Sequence, residues 1–254
     1  MRLPLLGTAL ATALCGAITL ACGSPTSPST STTSSSSTTT TGGSTTANLP
    51  AIYSKFNASV TITVSGSNVV LSSNGEPDHK SPYWGVGNAM YEAPQAGMSV
   101  NPNVISAQSF VIRVPSSPAA ATASDTPLGP IGMATNGVAF FNQYAAGRQP
   151  LTTEIISFDR YNGHPQQTGQ YHYHMEPFWL TTNNGRTAFL GVLLDGYPVY
   201  GPDEVGGGSP SGLDSCNGHT HATTEFPGGV YHYHVTTAVP YISGCFHGAA
   251  GSVG

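Results

Sequence analysis

The tetrapeptide Tyr-His-Tyr-His occurs twice in this chain, at residues 171–174 and again 60 residues on, at 231–234. Its surroundings repeat too. IGMATNGVAFFN (residues 131–142) aligns with LGVLLDGYPVYG (190–201) as apolar-Gly-apolar, two residues, Asn or Asp, Gly, then an apolar or aromatic run. FDRYNGH (158–164) aligns with LDSCNGH (213–219), and Gly169 aligns with Gly229. The four landmarks keep their order, at offsets of 59, 55, 60 and 60. Such regularity predicts two tandem units, about 129–180 and 190–241, packed as pseudo-symmetric halves. A unit of about 50 residues has too little core to stand alone, so the halves are expected to share one.

Local signals agree with a mainly β, compact domain with few or no long helices. Gly (31) and Pro (20) make up 51 of 254 residues, which favours turns and short strands. Thr61 to Val64 and Asn68 to Leu71 read as strands around Gly66, and Ser109 to Val114 as a third stopped by Pro115. A Pro/Ala-rich loop is expected from there to about Pro130. The net charge is -5 and no basic run occurs, which speaks against a nucleic-acid partner.

The first 21 residues read as an export signal: Arg2, then an apolar, small-residue stretch from Leu3 to about Leu20. Ile18-Thr19-Leu20-Ala21-Cys22 resembles the lipobox of bacterial lipoproteins, with Thr19 where Leu is usual. Cys22 is therefore the expected lipid-anchored residue, at the bacterial cell envelope. The alternative is an ordinary secretory cut near Ala21. Residues 24–47 are almost all Ser and Thr, with a few Pro and Gly, and cannot bury apolar area, so 22–47 reads as a disordered tether behind Cys22. The folded domain is expected over 48–254. Cys216 and Cys245 are an even pair in an exported chain, which reads as a disulfide.

On a strand, alternate side chains face opposite ways. His172 and His174 therefore share one face, Tyr171 and Tyr173 the other, and the same holds for His232 and His234 against Tyr231 and Tyr233. Same-face histidines lie about 6–7 Å apart at the backbone, so their imidazoles can converge on one ion. His219 and His221 form a third His-x-His pair. Neutral imidazole suits Zn, Cu, Ni and Fe(II), and Zn or Cu is the expected cofactor. His164, His247, His79 and Asp214 are further candidate ligands. Glu176 continues the His172–His174 face, whereas its counterpart is Thr236; such unequal halves suit a single site. Glu176 and Asp195 are the candidates for acid or base catalysis. Each reading has a plain alternative. The histidines could form a buried hydrogen-bond ladder without an ion. Asp195, Asp159 and Asp214 could cap turns or orient imidazoles. His79 and His247 could be hydrogen-bonded bystanders.

The doubled Tyr-His-Tyr-His, LDGYPVYGP (194–202), LDSCNGHTH (213–221) and YISGCFHG (241–248) resemble the YHYH-domain proteins over about residues 75–250. The resemblance implies an exported protein, mostly bacterial in occurrence, in which the cysteines and the His pairs belong to a common framework. It implies no reaction. Three functions follow as expectations: metal capture or buffering at the envelope, held to the membrane by the lipid on Cys22; a metal-dependent hydrolase or oxidoreductase using the same histidines; or a glycan- or protein-binding surface with structural histidines and Tyr83, Trp84 and Trp179 as platforms.

Overall fold

Asn136-Gly137 and Asp195-Gly196 mark two turns, each between short apolar runs that form a tight hairpin. The computed structural model describes residues 49–254, so the export signal, Cys22 and the tether of 22–47 lie outside the described residues. Strand takes up 32% and helix 12% of what is described. The first strands are β1 (Thr61–Ser65), β2 (Asn68–Ser73), β3 (Phe110–Pro115) and β4 (Ala120–Asp125). The first Gly-turn hairpin is β5 (Pro130–Ala134) with β6 (Ala139–Phe141), followed by β7 (Tyr144–Ala145), β8 (Gln149–Pro150), β9 (Gly163–Pro165) and β10 (Tyr171–Tyr173). A seven-residue α1 (Phe178–Asn184) leads to the second hairpin, β11 (Phe189–Leu193) with β12 (Pro198–Tyr200). Then come β13 (Gly218–His221), β14 (Val230–His234), β15 (Cys245–Gly248) and β16 (Ser252–Val253).

The main sheet has eight strands in the order β13-β14-β12-β11-β5-β6-β10-β9. Its two central strands, β11 and β5, are antiparallel neighbours. Outward on one side, β5 pairs antiparallel with β6, β6 parallel with β10, and β10 antiparallel with β9. On the other side β11 pairs antiparallel with β12, β12 parallel with β14, and β14 antiparallel with β13. The pairing pattern therefore reads the same from both ends. The four middle strands are buried along nearly their whole length. Fully buried Ile131, Met133, Phe140, Leu190, Val192 and Val199 lie in one core with Val69, Leu71, Ile112 and Val114. The latter come from a separate antiparallel sheet, β1-β2-β3-β16.

One sequence expectation changes and one holds. The stretch read as a loop contains β4, which pairs with β15 in a two-stranded sheet. Every residue of β4 is exposed, so AATASD carries no apolar alternation to betray a strand. Cys216 and Cys245 are disulfide-bonded, tying the turn before β13 to β15. Among the described residues no helix is long and apolar enough to cross a membrane.

Candidate metal centres

The Asp-x-x-Asn-Gly-His segments build the outer hairpins. The Asp159 carboxylate accepts from Tyr161 N at 2.9 Å and Gly163 N at 3.3 Å, and Asn162 takes the left-handed φ of 63°. The Asp214 carboxylate accepts from Cys216 N at 2.9 Å and Gly218 N at 3.2 Å, and Asn217 has φ 72°. Asn tolerates this conformation better than most residues. The glycines serve a different need. A Cβ at Gly163 would stand 2.3 Å from the ring of Tyr171, and one at Gly218 2.3 Å from Oη of Tyr231. Those tyrosines cross the glycines to donate to the same carboxylates: Tyr171 Oη to Asp159 at 2.7 Å, and Tyr231 Oη to Asp214 at 2.9 Å.

The second tyrosine of each motif reaches the Gly-turn. Tyr233 Oη donates to Asp195 at 2.5 Å, and Asp195 also accepts from the backbone N–H groups of Tyr197, His247 and Gly248. Tyr173 Oη accepts from Asn136 Nδ2 at 3.1 Å and donates to His79 Nε2 at 3.1 Å. Asp195, Asp214, Asp159 and His79 thus belong to the tyrosine face. Burial raises Asp195 above the usual carboxylate range and lowers His79.

The histidines face the other way and form two groups. His164, His172 and His174 offer ligand atoms within 4.8 Å of one another, and so do Glu204, His219, His232 and His234. The first group lies on β9, on β10 and just after it, with His164 directly opposite His172. In the second, His219 on β13 faces His232 on β14. Strands β10 and β14 are five strand steps apart, about 24 Å along the sheet. The expectation of one site shared by both halves is therefore corrected to two separate groups. Alternation puts each pair on one face, but sheet order puts the pairs at opposite ends.

Hydrogen bonds on the far side of each ring fix what the near side offers. Nδ1 of His172 meets Gln170 O at 3.1 Å, and Nδ1 of His174 meets Asn142 O at 2.6 Å. Nδ1 of His232 meets Val230 O at 2.9 Å, Nδ1 of His234 meets Gly201 O at 2.7 Å, and Nδ1 of His219 meets Ser211 O at 3.0 Å. A carbonyl can only accept, so each of these Nδ1 atoms carries the proton and Nε2 keeps its lone pair. His164 Nδ1 meets the Ser157 hydroxyl at 2.8 Å and Asn101 Nδ2 at 3.3 Å, with no carbonyl among its partners. Yet the Nε2 atoms face each other: 3.0 Å for His172 and His174, 2.9 Å for His232 and His234. His164 Nε2 and His219 Nε2 are buried without a hydrogen bond. Two lone pairs at 3 Å repel unless a cation lies between them. Nitrogens bound at about 2.1 Å to one ion are at most about 4 Å apart, a limit that each facing pair meets, and each group could hold a metal ion.

A proton is a poor substitute for that cation. Burial lowers His164 to about 3, with the neighbouring His174 adding to the effect, and lowers His174 and His232 to about 4. His172 falls well below its usual value by burial, then by repulsion from His164 and His174. Burial also lowers His234, against the opposing pull of Gly201 O and Glu204. The rings are thus neutral, as metal binding requires. Packing holds them in place. Phe141 stacks on His172 with ring centres 3.9 Å apart, and Phe158 lies parallel to His174 at 5.6 Å.

The groups differ in their fourth member. Glu204 Oε1 lies 3.0 Å from His219 Nε2 and 3.6 Å from His234 Nε2, inside the second group. The nearest carboxylate recorded at the first is Glu154, with Oε1 4.0 Å from His164 Nε2. Sequence reasoning missed both glutamates, which sit in loops outside the repeated landmarks. His221 stands at the rim, half-exposed, with Nδ1 3.2 Å from Glu204 Oε2. Glu176 joins neither group; its carboxylate lies 3.6 Å from Arg186. The strand ends at Tyr173, so strand alternation no longer governs Glu176. His247 packs flat on Tyr231, ring centres 3.5 Å apart. Tyr83 is buried, Trp84 Nε1 donates to His79 O at 3.0 Å, and Trp179 packs against Tyr161 and His79, so none of the three is a free platform.

A family model for the YHYH protein matches residues 111–206 and 203–248, which together span 138 of the 254 residues, 111 to 248. No curated protein and no solved structure gives a match.

Proposed function

The chain belongs to the YHYH protein family, and on that footing we propose that it binds transition metal ions, Zn or Cu, through two histidine centres, for metal capture or buffering at the cell envelope. The observation that carries this reading is the pair of facing Nε2 lone pairs in each half, 3.0 and 2.9 Å apart, with every Nδ1 proton committed elsewhere. A hydrogen-bond ladder without an ion would need one Nε2–H in each pair, and the backbone carbonyls leave none. The same reading takes residues 129–180 and 190–241 as tandem copies of one metal-binding unit. A metal-dependent enzyme is the second reading, favoured by a cleft of about 860 Å³ that reaches the first group.

Elemental analysis tests the proposal. The full chain is purified from an oxidising compartment without a His-tag, beside a variant with His172, His174, His232 and His234 changed to Ala and shown to fold. Two equivalents of one transition metal, lost in the variant, are expected. No metal after incubation with Zn and Cu would leave the histidines structural and end this reading. We also read the first 47 residues as a lipid anchor at Cys22 and a tether. Mass spectrometry of the native protein should find a diacylglyceryl group on Cys22, and an unmodified Cys22 would refute that.

A further inference from the structure

The two groups share a histidine geometry but not their surroundings. His164, His172 and His174 line the cleft of about 860 Å³, which falls in the size range of small-molecule sites. Each of these residues is only 3% exposed, so the cleft meets little of them. Around them the cleft presents Asn101, Asn103, Gln149, Gln166 and Gln167, with Tyr144 among the aromatic surfaces, and neither Lys nor Arg. Amide groups both donate and accept, which suits hydroxyl-rich neutral molecules rather than anions. Glu154 is the lone carboxylate of the lining. It stands 4.0 Å from His164 Nε2, outside the ligand group, and its Oε2 is buried without a hydrogen-bond partner. In the other group Glu204 has moved in to 3.0 Å and supplies a fourth ligand. Three protein ligands leave a coordination position for an outside molecule; four close the site.

We propose that the cleft centre holds its ion with an open position and there binds a neutral, hydroxyl-bearing organic ligand, while the Glu204 centre is closed. The proposal rests on the metal-binding reading above. On binding, a ligand hydroxyl oxygen would share a lone pair with the ion while its O–H bond stays intact and donates to Glu154. Glu154 is then the hydrogen-bond acceptor, and the amide side chains hold the remaining hydroxyls.

The test uses the full chain loaded with Co(II) and acetohydroxamic acid as a neutral oxygen-donor probe. Visible absorption of the metal is the readout. His234→Ala keeps the cleft centre and is expected to keep the probe-induced spectral change. His174→Ala keeps the Glu204 centre and is expected to lose it. Glu154→Gln should bind Co(II) in unchanged amount and the probe at least 10-fold more weakly. If Co(II) fails to bind at all, the metal reading falls first. If two equivalents bind and the probe perturbs both centres, neither, or only the Glu204 centre, the metal reading stands and this proposal is overturned. Should His174→Ala not fold, His234→Ala and Glu154→Gln decide. No change in the former, or full probe affinity in the latter, overturns it.

Discussion

At the scale of single residues, burial lowers His164, His172, His174, His232 and His234 below their usual range, and what their Nδ1 atoms meet orients the rings. This has a consequence for stability that needs no metal. In an unfolded chain each histidine takes up a proton near 6.5. In the fold, His164 resists until about 3, and His174 and His232 until about 4. Between those limits the unfolded state binds more protons than the folded one, so stability rises with pH and falls as acid is added. Each such histidine contributes a slope of about 1.4 kcal/mol per pH unit across that window. Burial raises Glu154, which pulls the opposite way and reduces the slope without reversing it. Urea titrations of the metal-free protein should therefore show the midpoint dropping steeply from pH 6.5 to pH 4.5. His174→Gln, which cannot take up the proton, should flatten the profile by about one proton. A midpoint independent of pH over that range would show that the rings are not held neutral by burial.

At the scale of elements, legibility followed burial. The repeat of 131–142 in 190–201 could be read because its apolar residues and turn glycines are all needed for one packed sheet, whereas the hairpins β5–β6 and β11–β12 that they form come from the structure. The Tyr-His-Tyr-His strands could be read because alternation separates a packed tyrosine face from a histidine face. His164 could be placed beside His172 only through its alignment with His219. The exposed β4 left no pattern to read. Glu154 and Glu204 come from irregular chain, whose path no periodicity encodes. His221 shows the limit of spacing: it shares a face with His219, but its register partner is Val230 and its side chain is 52% exposed. The apolar-Gly-apolar landmark gains its reason only from the pairing of β5 with β11. A Cβ on Gly132 would stand 2.3 Å from Val192 O, and one on Gly191 2.2 Å from Met133 O. These contacts are with backbone, which cannot rotate away. Gly132→Ala should thus cost about 1–3 kcal/mol or more by overpacking, read as a lower urea midpoint with an unchanged slope. A variant as stable as the parent would mean that the two central strands are not packed this closely.

At the scale of the whole molecule, both candidate centres hang from one sheet and one core, so a cation bound at either end stabilises the same folded state. A ligand at 100 times its dissociation constant adds about 2.7 kcal/mol, and two independent sites add that twice. The centres differ, however, in what binding must organise. The Glu204 centre joins β13 and β14 to a loop residue, beside the disulfide that ties Cys216 to β15. The cleft centre joins β9 to β10 and the residue after it, and leaves the cleft wall free. Loading with Zn should raise the melting temperature in two increments as the metal is titrated past one and then two equivalents. His174→Ala and His232→Ala should each remove one increment and keep the other, because about 24 Å of sheet separates the groups. Loss of both increments in either variant would mean that the two centres are coupled through the sheet and cannot be treated as separate sites. Retention of both in either variant would mean that the metal sits elsewhere.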